Sequence, residues 1–285
     1  RQISILIVVI AILSFSFPRG KTLLYSYQLN DVAQEEVVAP FNYPILKTDN
    51  ELQTDLDEAI KSEPFLFSRS QDVVDGQVAL IHEYFSLVNS IQLGNKKLSA
   101  SKDTLYRNRF SDQYDVARVA VQSDSAALAV LMERIKNEFA FAAEDENWNN
   151  IYTLDLVDLL IVDLGKLRND MIQISRNRWA EGIYDVEMAE IISNKVAVNI
   201  GNDEAPELQE PTTYNDLQNA WTKARVEVTN QYSDEADIRR DLGYSLVVEF
   251  MKPNLIFDRE TTERRQQARE DRVPRNKGII LKNER

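Results

Sequence analysis

The sequence contains no cysteine and a single histidine in 285 residues. Without cysteine no disulfide can brace the fold, and no thiolate can bind a metal or attack a substrate. With His82 alone, neither the paired histidines of a zinc-protease helix nor the ligand set of a histidine–aspartate metal site can be assembled. His82 stands in LIHEYF with no second His four residues on, and it reads as a packed or surface residue. The motifs GxGxxG, GxSxG and GxxxxGK followed by Ser or Thr are missing, which removes the usual phosphate cradles and the nucleophile elbow. Cations are also scarce: 33 Lys and Arg face 46 Asp and Glu, a net charge of −13 at pH 7. Such a surface opposes nucleic acid and broad adsorption to anionic headgroups. Nothing selects a catalytic pair from the many carboxylates. The cluster Glu144-Asp145-Glu146 lacks EF-hand spacing and glycine, and reads as a solvated loop rather than a calcium site.

The chain is 44% hydrophobic and 28% charged, a globular composition large enough for one big domain or two tightly joined lobes. Its first residue is Arg1 and not Met, so it reads as part of something longer. From Gln2 to Pro18 no residue is charged, and Ile3 to Phe17 reads ISILIVVIAILSFSF. As a helix this run spans about 25 Å, slightly short of a hydrocarbon core of about 30 Å. A cleaved signal peptide would look similar, but LSFSFPRG offers no small-x-small cleavage site. Residues 1–18 are therefore expected to be an N-terminal transmembrane anchor, detached from the core, and 19–285 an extracytoplasmic domain. Charge is uneven beyond it. Lys252 to Arg285 holds ten Lys/Arg against six Asp/Glu, a local +4 that leaves −17 for the rest. The ordinary reading is a solvated basic helix; the sharper one is a basic tail that packs on the acidic body or approaches lipid.

Periodicity predicts a mainly helical α+β fold. Lys21–Tyr27 and Glu36–Leu46 read as short strands, the second broken by Pro40 and Pro44. Thr48 to Glu51 is a capping box, and Ser68 to Gln71 a second cap before Val74, Val78, Ile81, Phe85 and Val88 at helical spacing. Further helices carry Leu128, Leu131, Ile135 and Phe139, then the apolar stretch Leu154–Ile174, expected to be the central buried helix. Lys195–Ile200 is a strand pattern. Thr213 with Asp216 opens a helix bearing Leu217, Trp221, Ala224 and Val228, and another carries Ile238, Leu242, Leu246 and Phe250. Extended patterns concentrate at the two ends, with Pro253–Phe257 and Gly278–Lys282 at the finish, so a small sheet with strands from both termini is expected at the membrane-proximal pole of a helix bundle.

Two end segments carry a resemblance. Ala39, Pro40, Phe41, Asn42, Tyr43 and Pro44 resemble the APFDFPI-type opening of the ectodomain of PgpH-type seven-transmembrane HD-hydrolase receptors. Pro253, Asn254, Asp258 and Thr261, a helix containing Ala268, then Val273-Pro274 and Lys277-Gly278 are similar to that family's closing pattern. Asn42 stands where the family often has Asp, and the helix around Ala268 is unusually rich in Arg and Gln. The resemblance implies a sensor or interaction domain regulating a membrane-attached cytoplasmic HD phosphodiesterase, which hydrolyses cyclic di-AMP and lies beyond Arg285 with its metal ions. The expected site is the bacterial inner membrane, with this domain on the periplasmic side. Its partners would be its own downstream membrane helices and cytoplasmic domain, with an unknown small molecule or envelope protein. No catalytic residue, metal ligand or cofactor is assigned to this chain itself. The alternative is a membrane-anchored envelope scaffold or ligand-binding domain with no attached enzyme.

The soluble portion, Lys21 to Arg285, is expected to hydrolyse no cyclic dinucleotide. Metal-dependent turnover that survives repurification, and is abolished by a point change within residues 1–285, would overturn this.

Overall fold

The computed structural model describes residues 38–39, 41–141, 163–200, 205–233 and 238–283. The anchor 1–18, the strand expected at 21–27, Pro40, the acidic cluster 144–146 and the first part of the expected central helix lie outside the described residues. In chain order the elements are β1 (Tyr43–Leu46), α1 (Asp49–Ser62), β2 (Phe65–Arg69), α2 (Gln71–Arg107), α3 (Tyr114–Glu138), α4 (Leu164–Glu181), β3 (Val196–Asn199), β4 (Glu207–Gln209), α5 (Leu217–Gln231), α6 (Ile238–Phe250), β5 (Leu255–Phe257), α7 (Arg259–Glu270) and β6 (Asn276–Ile280). Helix dominates and the strands are short, as the periodicity predicts. Two compact units form, one from the chain up to Glu51 together with Pro274 onward, the other from Leu52 to Val273.

In the first unit the two chain ends pair. β1 runs antiparallel to β6, with Tyr43 opposite Ile280, Pro44 opposite Ile279 and Ile45 opposite Gly278. Lys47 N–H donates to the Arg275 carbonyl at 2.9 Å, and Lys282 N–H to the Asn42 side chain at 2.7 Å, so both ends of the ribbon are pinned. The expected capping box is present: the Glu51 carboxylate accepts from Thr48 N–H at 2.8 Å and the Thr48 hydroxyl from Glu51 N–H at 3.3 Å. Lys277 Nζ lies 3.0 Å from the same carboxylate and links the box to β6.

The second unit is a helical body with a four-stranded sheet. α2 and α3 form an antiparallel hairpin, as Glu83 pairs with Arg134 at 2.7 Å while Lys97 pairs with Asp124 at 2.9 Å. Buried positions on α2 run from Val74 to Ile91, the apolar face expected from its spacing. No residue of α2 after Ile91 is buried, so its last turns reach past the core. Ile135 and Phe139 complete the hairpin's contribution, with Tyr84, Phe139 and Phe250 meeting ring to ring at 5.2 and 6.1 Å. Behind them α4, α5 and α6 bury Leu167, Met171, Ala224, Val228, Leu242 and Leu246. α4 and α6 approach closely at Gly243, where an added Cβ would lie 2.8 Å from Met171 Sδ.

The sheet order is β4-β3-β2-β5, with β2 and β3 parallel and the outer pairs antiparallel. Two expectations change here. The helix opened near Thr213 begins one turn later: Pro211–Thr213 form a single 3-10 turn, and Asp216 is the N-cap, accepting from Asn219 N–H at 2.8 Å. β5, also expected among the strands of the two ends, joins β2 instead of β6, because its Leu255 is fully buried in the apolar cluster of this sheet.

The Glu51 carboxyl is held down at about 2, first by the Thr48 N–H and then by Lys277. Its depressed value means that the cap is fully formed above the ordinary carboxyl range and is lost as pH falls through about 2. A carbon-13 titration of the Glu51 carboxyl should therefore give a midpoint near 2. Lys277→Ala should recover less than half of the depression, because the Thr48 amide remains; a parent midpoint near the ordinary 4.5 would contradict this geometry.

A candidate ligand cleft beside the sheet

α4 ends where Gly182 adopts φ 93°, a conformation that L side chains avoid. An added Cβ there would lie 2.8 Å from the Tyr214 ring and 2.9 Å from Leu255, so glycine is required twice over. The chain then lays Ile183 and Tyr184 beside two other segments. Tyr184 N–H donates to the Asn215 carbonyl at 2.8 Å, and Leu255 N–H donates to the Ile183 carbonyl at 2.8 Å. Asn254 locks the junction from inside. Its side chain accepts from Ile183 N–H at 2.9 Å and donates to the Trp179 carbonyl at 2.9 Å, while its carbonyl accepts from Ser70 N–H at 2.8 Å. The Trp179 indole donates to the Lys252 carbonyl at 2.9 Å, and Arg69 Nη1 to the Ala180 carbonyl at 2.9 Å. The backbone groups and the Asn254 and Trp179 side chains named here all have partners, as burial demands, whereas Arg69 Nε is buried without one among the described residues.

This junction supports a cleft of about 920 Å³, within the usual size range of small-molecule sites. It is lined by Tyr184 to Glu190, by Asp216 to Gln218 at the start of α5, and by Pro253 and Arg259. The Tyr184 ring is buried and its hydroxyl donates to the Pro211 carbonyl at 3.1 Å. Burial, with Tyr214 adding, pushes the Tyr184 phenol far above its ordinary range. Burial and the Glu207 carboxylate likewise raise Tyr214, partly offset by Arg69. Both rings therefore stay neutral hydrogen-bonding surfaces. Asp185, Glu187, Glu190 and Asp216 give the lining a negative balance against Arg259. Two of these carboxylates are engaged by backbone: Asp185 accepts from Phe257 N–H at 3.0 Å and Asp216 caps α5. No nucleophile with an adjacent base is among the residues that line the cleft.

Elsewhere, His82 is exposed and lines a polar hollow of about 590 Å³ with Asn89, Asp163 and Arg168. Among the described residues no group of three His, Cys, Asp or Glu could hold a metal ion. Among them, too, no helix is long and apolar enough to cross a membrane.

The family model described as 7TM-HD extracellular matches residues 28–285. The chain belongs to that family. No curated protein and no solved structure matches it. Membership makes this the extracellular region of a 7TM-HD membrane protein, outside the cytoplasm.

In this 7TM-HD extracellular domain the two motif segments divide between the two units. Ala39 is buried, its carbonyl accepting from Asn283 N–H at 2.9 Å; Phe41 is exposed and stacks on Tyr43 at 4.1 Å; Pro44 and Gly278 sit within the β1–β6 ribbon. Pro253 lines the cleft and Asn254 forms the buried lock. Asp258 caps α7 by accepting from Thr261 N–H at 3.0 Å, and that contact lowers its pKa. The first part of the closing motif, Pro253 and Asn254, thus supports the cleft, and its last part lies in the ribbon. Sequence reasoning missed the segment Tyr184–Glu190, whose only signal is a glycine ending a helix before an aromatic. It missed equally the tip of the α2–α3 hairpin. There Phe110 is 92% exposed, and the Arg109 guanidinium lies 4.3 Å from the Tyr106 ring centroid and 5.0 Å from that of Phe110.

Asn254→Ala strands a buried N–H and a buried carbonyl, and should cost about 2–5 kcal/mol in urea unfolding followed by tryptophan fluorescence. Asn254→Asp is the sharper probe. A protonated carboxyl can replace the amide at this buried site, so its folded pKa is raised. Relative to the parent, the variant should be close to normal below about pH 4 and lose stability as pH rises above it. A pH-independent deficit would show that the side-chain bonds do not hold the junction.

Proposed function

We propose that the domain is the sensor of a bacterial cell-membrane receptor, anchored by residues 1–18, with 19–285 on the extracytoplasmic side and a cytoplasmic HD phosphodiesterase that hydrolyses cyclic di-AMP. The observation that carries this reading is the family match over residues 28–285, with the family's closing segment supporting a ligand-sized cleft. The metal ions of the reaction belong to the HD domain; the sensor itself needs no cofactor. A small molecule bound against Tyr184, Leu217 and Arg259 touches the first turn of α7, which continues along the chain into β6. Regulation then requires that the ligand favour one of two states of that path.

A second reading, an envelope protein as the partner, is favoured by the hairpin tip. Exposed Tyr106, Phe110 and Tyr114 beside Arg107 and Arg109 have the composition of protein-binding hot spots.

The test uses the full receptor in membranes, with cyclic di-AMP hydrolysis as the readout. Met188→Trp fills the cleft without touching the Asn254 lock, and should shift the hydrolysis rate at least threefold. Phe110→Ala should leave it unchanged in purified membranes. Rates unaffected by Met188→Trp would remove the cleft from signalling, and a receptor inert toward cyclic di-AMP would remove the enzyme.

A further inference from the structure

The β1–β6 ribbon leaves large apolar side chains uncovered on both of its faces. Opposed residues of an antiparallel pair share a face, so Tyr43, Ile280 and Ile45 project to one side, and Pro44 with Ile279 to the other. Every residue of β1 is exposed; Leu46 is 66% exposed, Leu281 59%, Phe41 57% and Ile279 54%. An isolated two-stranded ribbon is marginal in water, and a contiguous apolar surface of this kind marks an interaction site.

We propose that this ribbon lies in the headgroup–acyl boundary of an anionic bilayer, inserting Phe41, Leu46, Ile279 and Leu281. Charge selects the occupant. Lys47, Arg275, Lys277 and Lys282 outnumber Asp49 and Glu51 in the described part of this unit, although the chain as a whole carries −13. The acidic body is repelled by anionic headgroups, while the ribbon combines apolar side chains with flanking cations, the arrangement of an interfacial element. The Phe41–Tyr43 stack supplies aromatic rings of the kind enriched at that depth. The uncharged run Gln2–Pro18 precedes the ribbon by a short stretch of chain, which keeps it within reach of a membrane. A second copy of the ribbon is a poorer occupant, since pairing would oppose like charges. The inference rests on the domain belonging to a membrane protein and not on its ligand or enzyme, so it can fail independently of the sensor reading.

Residues 1–285 contain no cysteine, so with any cysteine elsewhere in the receptor replaced by serine the label goes only where it is placed. Full-length chain carrying Ile279→Cys or, separately, Phe41→Cys is labelled with an environment-sensitive fluorophore and reconstituted in phosphatidylethanolamine/phosphatidylglycerol vesicles. Val130→Cys on the exposed side of α3 serves as the control. Nitroxide-labelled lipid should quench the ribbon labels at least threefold more than the control, and aqueous iodide should quench them less. Two sites guard against local disruption by one label. Arg275→Glu with Lys282→Glu should weaken lipid quenching about tenfold or more, as each cation near an anionic surface contributes roughly fivefold in partition. Backbone pairing survives this change, because Arg275 and Lys282 join the ribbon through main-chain groups. Iodide quenching equal to the control overturns the proposal. So does protection from both quenchers with energy transfer between labelled copies, which would mean self-association. Lipid quenching that ignores the charge reversal overturns the anionic recognition.

Discussion

The buried amide of Asn254 ties together segments that are far apart in sequence. It bonds Ile183 and the end of α4 through its side chain, and the start of α2 through its carbonyl. A carboxamide suits this place because one group must accept from an amide and another must donate to a carbonyl. An apolar residue of the same size would strand both, and a charged one would carry a desolvation penalty. Asn254 directly precedes β5, which pairs with β2, and Asp185 accepts from Phe257 N–H at 3.0 Å at the end of that strand, two residues before α7 begins at Arg259.

The cleft is a consequence of that clasp. Gly182 turns the chain sharply, Tyr184 is pressed into the sheet's apolar cluster, and Val186 and Met188 pack against that cluster while Asp185, Glu187 and Glu190 line the cleft. The lining residues thus sit on a loop whose base is fixed by buried hydrogen bonds, a common way to combine precision with variability. The same segment that closes the family's pattern, Pro253 to Asp258, therefore acts as scaffold first and as lining second. In the sensor proposed above, a ligand in the cleft would act on a segment that leads along the chain to β6.

Helical structure was largely legible from the sequence. The apolar spacing of Val74 to Val88, the faces of Leu242 to Phe250 and the box at Thr48 and Glu51 all depend on neighbours within a few residues, and such contacts repeat with the helical period. The pairing of the two chain ends was legible for a different reason: β-rich segments too short to stand alone must find each other. Reading Thr213 as the helix opener failed because Pro211 diverts that turn into a 3-10 geometry, and Asp216 then has the free side chain at the right place.

The sequence by itself determined the class of the fold, the box at Thr48 and Glu51, the poverty of catalytic groups and the family, because composition, period and short motifs are local properties. Tertiary structure alone decided the parallel pairing of β2 with β3, the partner of β5, the lock at Asn254 and the cleft beside Tyr184. Each of these joins residues separated by tens to more than a hundred positions. No local pattern encodes which distant carbonyl a buried amide will meet; that is settled by packing the apolar clusters first and then satisfying every polar group trapped between them.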